Sequence, residues 1–134
     1  MRHDPIIDFS GELALKDNEP EEAIGIHTRV LRQRELLLEE AEAEHAGDEV
    51  KRSSCIGLAN TLWKLAAAEM RTWQLDAAAA HMERSIVTFR NIGEAGATLA
   101  GHLQAHAKIE FLRANFERAE TLLEEADRER QKER

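Results

Sequence analysis

The sequence predicts an all-α protein of stacked antiparallel helical hairpins, with about six helices in three pairs. Composition is the first reason: alanine, leucine, glutamate and arginine are common, and the chain has two prolines, no tyrosine and 4% aromatic residues, a profile typical of helices. The second reason is a pair of small residues, twelve positions apart, that occurs three times: Gly11 with Ala23, Ala66 with Ala78, and Ala107 with Ala119. Because twelve residues hold one turn and parts of two helices, each pair predicts a close approach of two antiparallel helices.

Length and charge limit the domain count and the partners. A chain of 134 residues is long enough for one continuous core. We therefore expect one domain over residues 1–134, with repeats at about 5–46, 48–92 and 94–130 and a charged tail at about 127–134. The net charge of −8 would not attract a phosphate backbone, so no nucleic-acid partner is expected.

The cellular compartment is predicted from the cysteine content and from the apolar runs. Cys55 has no second cysteine with which to form an intramolecular disulfide, which favours a reducing compartment. The first residues, MRHDPIIDF, contain no apolar run of secretory length, and no later segment reaches the length that spans a membrane. We therefore expect a cytoplasmic protein without a membrane partner.

The first two predicted helices are joined by the polar turn Lys16–Asn18. The apolar residues of the short first helix are Ile6, Ile7, Phe9, Leu13 and Leu15. Pro20 suits the first turn of the second helix, because the N–H that proline lacks would have no partner there. This long helix keeps a period of about 3.6 residues up to a stop signal at Gly47; its apolar residues are Ala23, Ile26, Val30, Leu31, Leu37, Leu38 and Ala41.

Four more helices are predicted after Gly47. The third begins with Asp48, or with Ser53 or Ser54 as an alternative cap, and ends near Arg71–Thr72. The fourth stops where Asn91 and Gly93 permit a left-handed turn. The buried faces of the four helices consist of Leu58, Leu62, Leu65 and Ala66; Leu75, Ala78, Ala79, Met82, Ile86 and Phe89; Leu99, Leu103, Ala107 and Leu112; and Phe116, Ala119, Leu122, Leu123 and Ala126. The tail DRERQKER predicts a solvated or fraying last turn.

Three stretches resemble the second-helix signature of tetratricopeptide repeats, in which a turn leads into an acidic, alanine-centred start: NEPEEAIGIH, WQLDAAAAHMERSI and NFERAETLLEEA. The interval from Ala78 to Ala119 is 41 residues, which is similar to the long-helix variants of that family, and the interval from Ala23 to Ala78 is 55. The family's junction proline and its aromatic residue in the first helix are missing. The resemblance covers about residues 5–128.

The resemblance implies a non-catalytic, cofactor-free module that binds a partner peptide or helix. In that family the first helices of the hairpins line a concave groove. By analogy, the groove residues here are Asp8, Glu12, Asn60, Trp63, Ala67, Arg71, Gln104, Lys108 and Phe111. Tryptophan, phenylalanine and arginine often carry binding energy at interfaces. As an alternative, Trp63 is a core tryptophan, and Trp73 is expected to be a hydrophobic plug between hairpins.

The alternative function is structural self-association. A short repeat array without polar caps leaves apolar surface at its ends, and pairing of two copies would cover it. Because the carboxyl end is heavily charged, we expect the amino end to pair, through Ile6, Ile7 and Phe9.

Metal binding and catalysis have weaker support. His102, His106 and Glu110 lie four positions apart and share a helix face, but one helix alone rarely completes a zinc site, so no metal is expected. Cys55 has no glycine-framed nucleophile turn and is expected to be a buried structural thiol. No phosphate-binding glycine-lysine loop occurs in the sequence. We therefore expect no enzymatic activity.

Overall fold

The structure is a computed structural model, and it describes residues 19–132. Over this range the chain is all-helical and contains no strand. The five helices are α1 (Pro20–Ala43), α2 (Asp48–Arg71), α3 (Leu75–Asn91), α4 (Ala97–Leu112) and α5 (Phe116–Gln131). They correspond to the second to sixth predicted helices. The first predicted helix lies outside the described residues, as do Ile6, Ile7, Asp8, Phe9 and Glu12.

One predicted boundary is wrong. The first helix of the described range ends at Ala43, and Gly47, the predicted stop signal, instead precedes the first residue of α2 with ordinary negative φ. The charged carboxyl end, for which a solvated or fraying last turn was predicted, is helical as far as Gln131, and Asp127, Arg128 and Gln131 are exposed. It is held because the Glu129 carboxylate accepts a hydrogen bond from the Gly96 N–H at 3.1 Å, and Arg130 donates to Gln104 at 2.6 Å.

Four helices end in the same backbone motif. One residue enters the left-handed region, and the N–H of the next residue bonds to a carbonyl five positions earlier. These bonds are Ala46 to Ala41, Gln74 to Glu69, Glu94 to Phe89 and Asn115 to Glu110, at 2.8–2.9 Å. The left-handed residues are His45, Trp73, Gly93 and Ala114. The sequence predicted such a turn only at Gly93, because glycine alone adopts this conformation without a steric penalty from Cβ.

The core consists of clusters of buried residues that join helices from α1 to α5. The first cluster joins α1 to α2 and contains Leu31, Leu58, Leu62 and Leu65. The second joins α2, α3 and α4 and contains Ala66, Ala78, Ala79, Met82 and Ile109. The third joins α3, α4 and α5, and its members include Phe89, Leu103, Ala107, Ala119 and Leu122. Ala66 and Ala78 therefore share one cluster, and Ala107 and Ala119 share another, as the predicted close approach requires. An alanine at these points lets the helix backbones come near each other.

Helices also contact each other two positions apart in the chain. The Arg84–Glu35 salt bridge at 2.7 Å connects α3 to α1, and the Arg90–Glu125 salt bridge at 2.7 Å connects α3 to α5. In addition, α2 packs directly against α4. Within residues 19–132, no helix combines the length and the hydropathy that a membrane span needs.

Candidate functional site

Aromatic side chains are on the surface rather than in the core. Of the tryptophans and phenylalanines in residues 19–132, only Phe89 is buried, at 1% exposure. The exposed ones are Trp63 at 42%, Trp73 at 68%, Phe111 at 60% and Phe116 at 57%. Large aromatic side chains on a surface are the usual anchors of protein interfaces. The surfaces that carry them are therefore the candidate sites.

The first of these surfaces lies on α2 and α4, and we call it the open face. On α2 it consists of Asn60, Ala67 and Arg71, which recur at helical spacing, with Trp63 at the edge toward α4. On α4 it consists of Gly101, Ala105 and Lys108. Asn60, Ala67 and Ala105 are half-buried, and the others are exposed. Alanine and glycine make a shallow floor beside one large ring.

Trp63 is supported by a stack of rings. Its ring lies 5.3 Å from the His102 ring, and His102 in turn packs edge-on against Phe89 with centroids 4.6 Å apart. Trp63 therefore has features of both predicted alternatives, a core tryptophan and a groove residue, because one side of its ring packs against α4 while 42% of the residue stays exposed. The sequence did not indicate the support from His102, because the two residues are far apart in the chain.

His102 acts as an apolar platform. Its Nδ1–H donates to the Thr98 carbonyl at 3.0 Å, while its buried Nε2 has no hydrogen-bond partner within residues 19–132. Burial lowers the pKa of His102 below the ordinary value of 6.5, although the bond to Thr98 partly opposes this shift. The imidazole is therefore neutral at neutral pH, and it supports Trp63 through ring packing rather than charge.

The predicted groove residues of α4 separate into two groups. Lys108 is exposed on the open face and forms no hydrogen bond or ion pair with residues 19–132. Gln104 and Phe111 contact α5 instead: the Gln104 side-chain oxygen accepts the bond from Arg130, and the Phe111 ring packs edge-on against Phe116 at 5.3 Å. Asn60, Trp63, Ala67, Arg71 and Lys108 are thus exposed or half-buried on α2 and α4, and Trp63 contacts α4 through the His102 ring.

The charged members of the open face, Arg71 and Lys108, are both cations. After Glu49 the charged residues of α2 are Lys51, Arg52, Lys64, Glu69 and Arg71, and those of α4 are Lys108 and Glu110. Glu69 and Glu110, the only acidic residues of these helices after Glu49, are buried, at 5% exposure each. The surface acids of residues 50–112 therefore lie off α2 and α4. The face presents cations although the chain has a net charge of −8.

The two buried glutamates occupy equivalent positions in successive hairpins. Glu69 and Glu110 are 41 residues apart, the same interval as Ala78 and Ala119. The Glu69 carboxylate is 2.7 Å from Nδ1 of His81, which connects the end of α2 to α3. Sequence periodicity did not predict that these glutamates are buried, since a glutamate near a helix end is usually solvated.

Glu110 has the more extensive network. Its carboxylate accepts hydrogen bonds from Asn115 at 2.8 Å, from Arg113 at 3.1 and 3.2 Å, and from His106 at 3.1 Å. Arg113 also pairs with Asp76 of α3 at 3.0 Å. Burial alone would raise the pKa of Glu110, but the bond from Asn115 and the charge of Arg113 outweigh it, and the pKa is lowered. The carboxylate therefore stays ionised and fixes the α4–α5 turn.

Within residues 19–132, the candidate metal ligands and the cysteine do not form a metal site or a nucleophilic site. His106 binds Glu110 and His102 binds Thr98, and no group of three potential ligands within residues 19–132 is arranged to hold a metal ion. Cys55 is half-buried rather than buried as predicted. Burial, together with the negative charge of Glu42, raises the pKa of its thiol. This disfavours the reactive thiolate.

Two hollows lie along α1, away from the open face. The smaller, of about 320 Å³, is lined mainly by charged residues of α1 together with Leu58 and Arg84. The larger, of about 650 Å³, lies beside the α1–α2 turn, and its floor includes Leu37, Ala41 and Val50. Neither contains an exposed aromatic ring.

Comparison of the chain with protein-family models, with curated proteins and with solved structures gives no match.

Proposed function

We propose that this chain is a non-catalytic interaction module that binds a peptide or helix of a partner protein on the open face. We further propose that its hairpins form a short right-handed solenoid similar to tetratricopeptide repeats. In such an array α2 and α4 belong to the concave layer and α1, α3 and α5 to the outer layer. The salt bridges from α3 to α1 and to α5, and the contact of α2 with α4, support this assignment.

The observation that carries the proposal is the geometry of Trp63. Its ring is held by His102 and still exposes 42% of the residue. A ring that is fixed before binding loses little side-chain entropy when a partner arrives. The shallow floor of Ala67, Gly101 and Ala105 leaves room for a main chain beside the ring. A single half-buried cysteine is consistent with a reducing, cytoplasmic location.

The test is a comparison of Trp63→Ala with a matched control. Val87 is an exposed apolar residue of α3, at 47% exposure, so Val87→Ala removes similar surface character on another helix. Wild type and both variants are used to capture partners from an extract of the native host, and each captured protein is then purified and titrated by calorimetry. We expect Trp63→Ala to lose at least roughly tenfold in affinity and Val87→Ala to bind like wild type.

Equal affinities for wild type and Trp63→Ala, with equal thermal stability, would overturn the open-face assignment. Light scattering of the same samples tests the alternative, self-association, for which Ile6, Ile7 and Phe9 were predicted. A concentration-dependent dimer that persists in Trp63→Ala would favour that alternative.

A further inference from the structure

Large apolar side chains are exposed together on the last hairpin of the described range, α4–α5. Phe111 is 60% exposed, Phe116 57% and Leu123 47%, and the two phenylalanine rings pack edge-on with their centroids 5.3 Å apart. On α5, Phe116, Glu120, Leu123 and Asp127 recur at helical spacing and therefore share one face. We call these four residues, together with Phe111, the terminal surface.

The terminal surface corresponds to a surface of the α2–α3 hairpin that lies 41 residues earlier in the chain. The helix starts are equivalent, since α3 begins at Leu75 and α5 at Phe116. The equivalent pairs are Met70 and Phe111, Leu75 and Phe116, Ala79 and Glu120, Met82 and Leu123, and Ile86 and Asp127. Ala79, Met82 and Ile86 are at most 7% exposed. The earlier surface is therefore covered at these positions, whereas the terminal surface is exposed.

A helix, and not a tryptophan, fills the junction between the two hairpins. Trp73, which was predicted to be a plug between hairpins, is 68% exposed, so that prediction is wrong. Instead, Ile109 of α4 lies in one cluster with Ala79 and Met82, and Ala105 of α4 packs against this cluster. This position of the repeat therefore receives a helix with small and branched apolar side chains.

The terminal surface mixes apolar and acidic positions. A surface that only ended the array would be polar throughout, but three of its five side chains are large and apolar. A surface that a further hairpin of the same kind covered would be apolar, but Glu120 and Asp127 occupy the positions at which Ala79 and Ile86 are buried. Both features suit an occupant that is apolar in its centre and charged at its edges.

We propose that the terminal surface binds one amphipathic helix of a partner protein, and that lysine and arginine flank the apolar seam of this helix. The preceding junction supplies the shape of the occupant, because a helix covers the equivalent positions there. A helix that lays its apolar face on an apolar surface is a common mode of recognition. The inference stands apart from the function proposed for the open face, since neither Trp63 nor Arg71 belongs to the terminal surface.

Charge selects the basic helix. The exposed acids of α5 are Glu117, Glu120, Glu124 and Asp127. Their carboxylates form no hydrogen bond or ion pair with residues 19–132, whereas two α5 cations are already paired, Arg118 with Glu83 at 3.9 Å and Lys132 with Glu129 at 2.8 Å. Arg128 is the exposed cation of α5 without an ion pair in that range. Four carboxylates against one cation favour lysine and arginine on the occupant.

The same charges make a second copy of this chain a poor occupant. Pairing of two terminal surfaces would bring the four acids of one α5 near those of the other, and each chain has a net charge of −8. Like charges across an interface oppose association. The occupant is therefore a different protein.

The experiment pans a displayed library of amphipathic helices of about 20 residues on the immobilised wild-type chain. The seam positions of the library vary among apolar residues, and the flanking positions vary equally among lysine, arginine, glutamine and glutamate. We expect the enriched helices to carry mostly lysine and arginine at the flanks. Enrichment of helices with acidic or uncharged flanks, or of no helix at all, would overturn the proposal.

The most enriched helix is then synthesised and titrated against Phe116→Ala, Leu123→Ala and Leu36→Ala. Leu36 is the matched control, because it is a leucine of α1 with a similar exposure of 52%. We expect the first two variants to lose at least roughly tenfold in affinity and Leu36→Ala to bind like wild type. Because all three side chains are exposed, thermal melts should show that the variants remain folded. Equal affinities for Leu123→Ala and Leu36→Ala would contradict the assignment of the site.

A charge reversal separates a specific contact from general attraction to an acidic protein. Glu120→Lys and Glu49→Lys change the net charge equally, and Glu49 is an exposed residue at the start of α2. We expect Glu120→Lys to weaken binding at least about fivefold more than Glu49→Lys. Equal effects of the two reversals would mean that the net charge alone attracts the helix, and would overturn the terminal surface as its site.

Two further outcomes would also overturn the proposal. A helix that loses affinity in Trp63→Ala but binds Leu123→Ala like wild type would belong to the open face. A concentration-dependent dimer that Leu123→Ala dissociates, measured by light scattering, would identify a second copy as the occupant.

Discussion

The α2–α3 turn and the α4–α5 turn share a backbone but differ in what their side chains do. In each, a left-handed residue follows the helix and a buried glutamate carbonyl accepts the closing bond. In the second turn, Arg113 and Asn115 both bind the Glu110 carboxylate. The equivalent residues of the first turn, Thr72 and Gln74, bond to each other at 2.8 Å.

The two turns therefore have the same backbone conformation, whereas their side chains make different contacts. Around Ala114 the side chains stabilise the fold, and the left-handed position carries the smallest residue with a Cβ. Around Trp73 the carboxylate of Glu69 contacts His81 at 2.7 Å, and a large ring is exposed.

The largest expected effect tests whether the two hairpins pack alike. Ala119→Glu should lower the free energy of unfolding by about 2–5 kcal/mol, because Ala119 is 5% exposed and the larger, charged side chain would have no partner. Ala78→Glu should be at least as damaging, since Ala78 is fully buried. Urea unfolding measures both, and Ala80→Glu, at an exposed position of α3, is the control. A loss in Ala119→Glu no larger than that of the control would contradict the close packing.

The second prediction separates the two buried glutamates. Glu110→Gln should cost about 3 kcal/mol and Glu69→Gln about 1.5 kcal/mol, because hydrogen bonds to charged groups are worth about 1.5–3 kcal/mol and Glu110 accepts more of them. Glutamine keeps the shape and removes the charge. The free energy of unfolding of each variant at pH 7 is the measurement. Equal losses would mean that the two turns are not energetically different.

The third prediction concerns acid sensitivity of α4. Burial lowers the pKa of His102 and of His106 below 6.5, so below that pH the unfolded chain binds more protons than the folded chain. Stability is therefore retained above about pH 6.5 and falls as the pH decreases toward the lowered pKa values, by at most about 1.4 kcal/mol per pH unit for each histidine.

Replacement of one histidine checks this slope. His102→Phe keeps a ring between Trp63 and Phe89 and removes one titrating group. Unfolding free energies measured from pH 8 to pH 5 should show a smaller decrease for the variant than for wild type. A slope unchanged by the substitution would show that His102 does not contribute to acid sensitivity.

The smallest expected effect sharpens the comparison of the two turns. Ala114→Gly and Trp73→Gly should each raise the free energy of unfolding by about 0.5–1 kcal/mol, because glycine adopts positive φ without the penalty from Cβ. Thermal melts of both variants are compared with wild type. A clear loss in Trp73→Gly alone would show that the ring does stabilise the fold.

Helix positions were largely predictable, whereas the assignment of side chains to surfaces was not. The start of α2 at Asp48, the end of α3 near Asn91 and the burial of Ala78 and Ala119 agree with the predictions. The platform under Trp63 was missed, because His102 reaches it from another helix. The left-handed Trp73 was also missed, since nothing in its local sequence resembles the glycine that usually marks such a position.

By itself, the sequence determined the helical class, the order of the helices and the small residues where they meet. These features depend on local periodicity and residue volume, and both are properties of the sequence itself. Only the tertiary structure decided that Lys108 lies on the open face while Gln104 and Phe111 contact α5. Residues three or four positions apart on a helix, such as Gln104, Lys108 and Phe111, differ by only a small rotation about the helix axis. The packing of the next helix therefore decides which of them are covered.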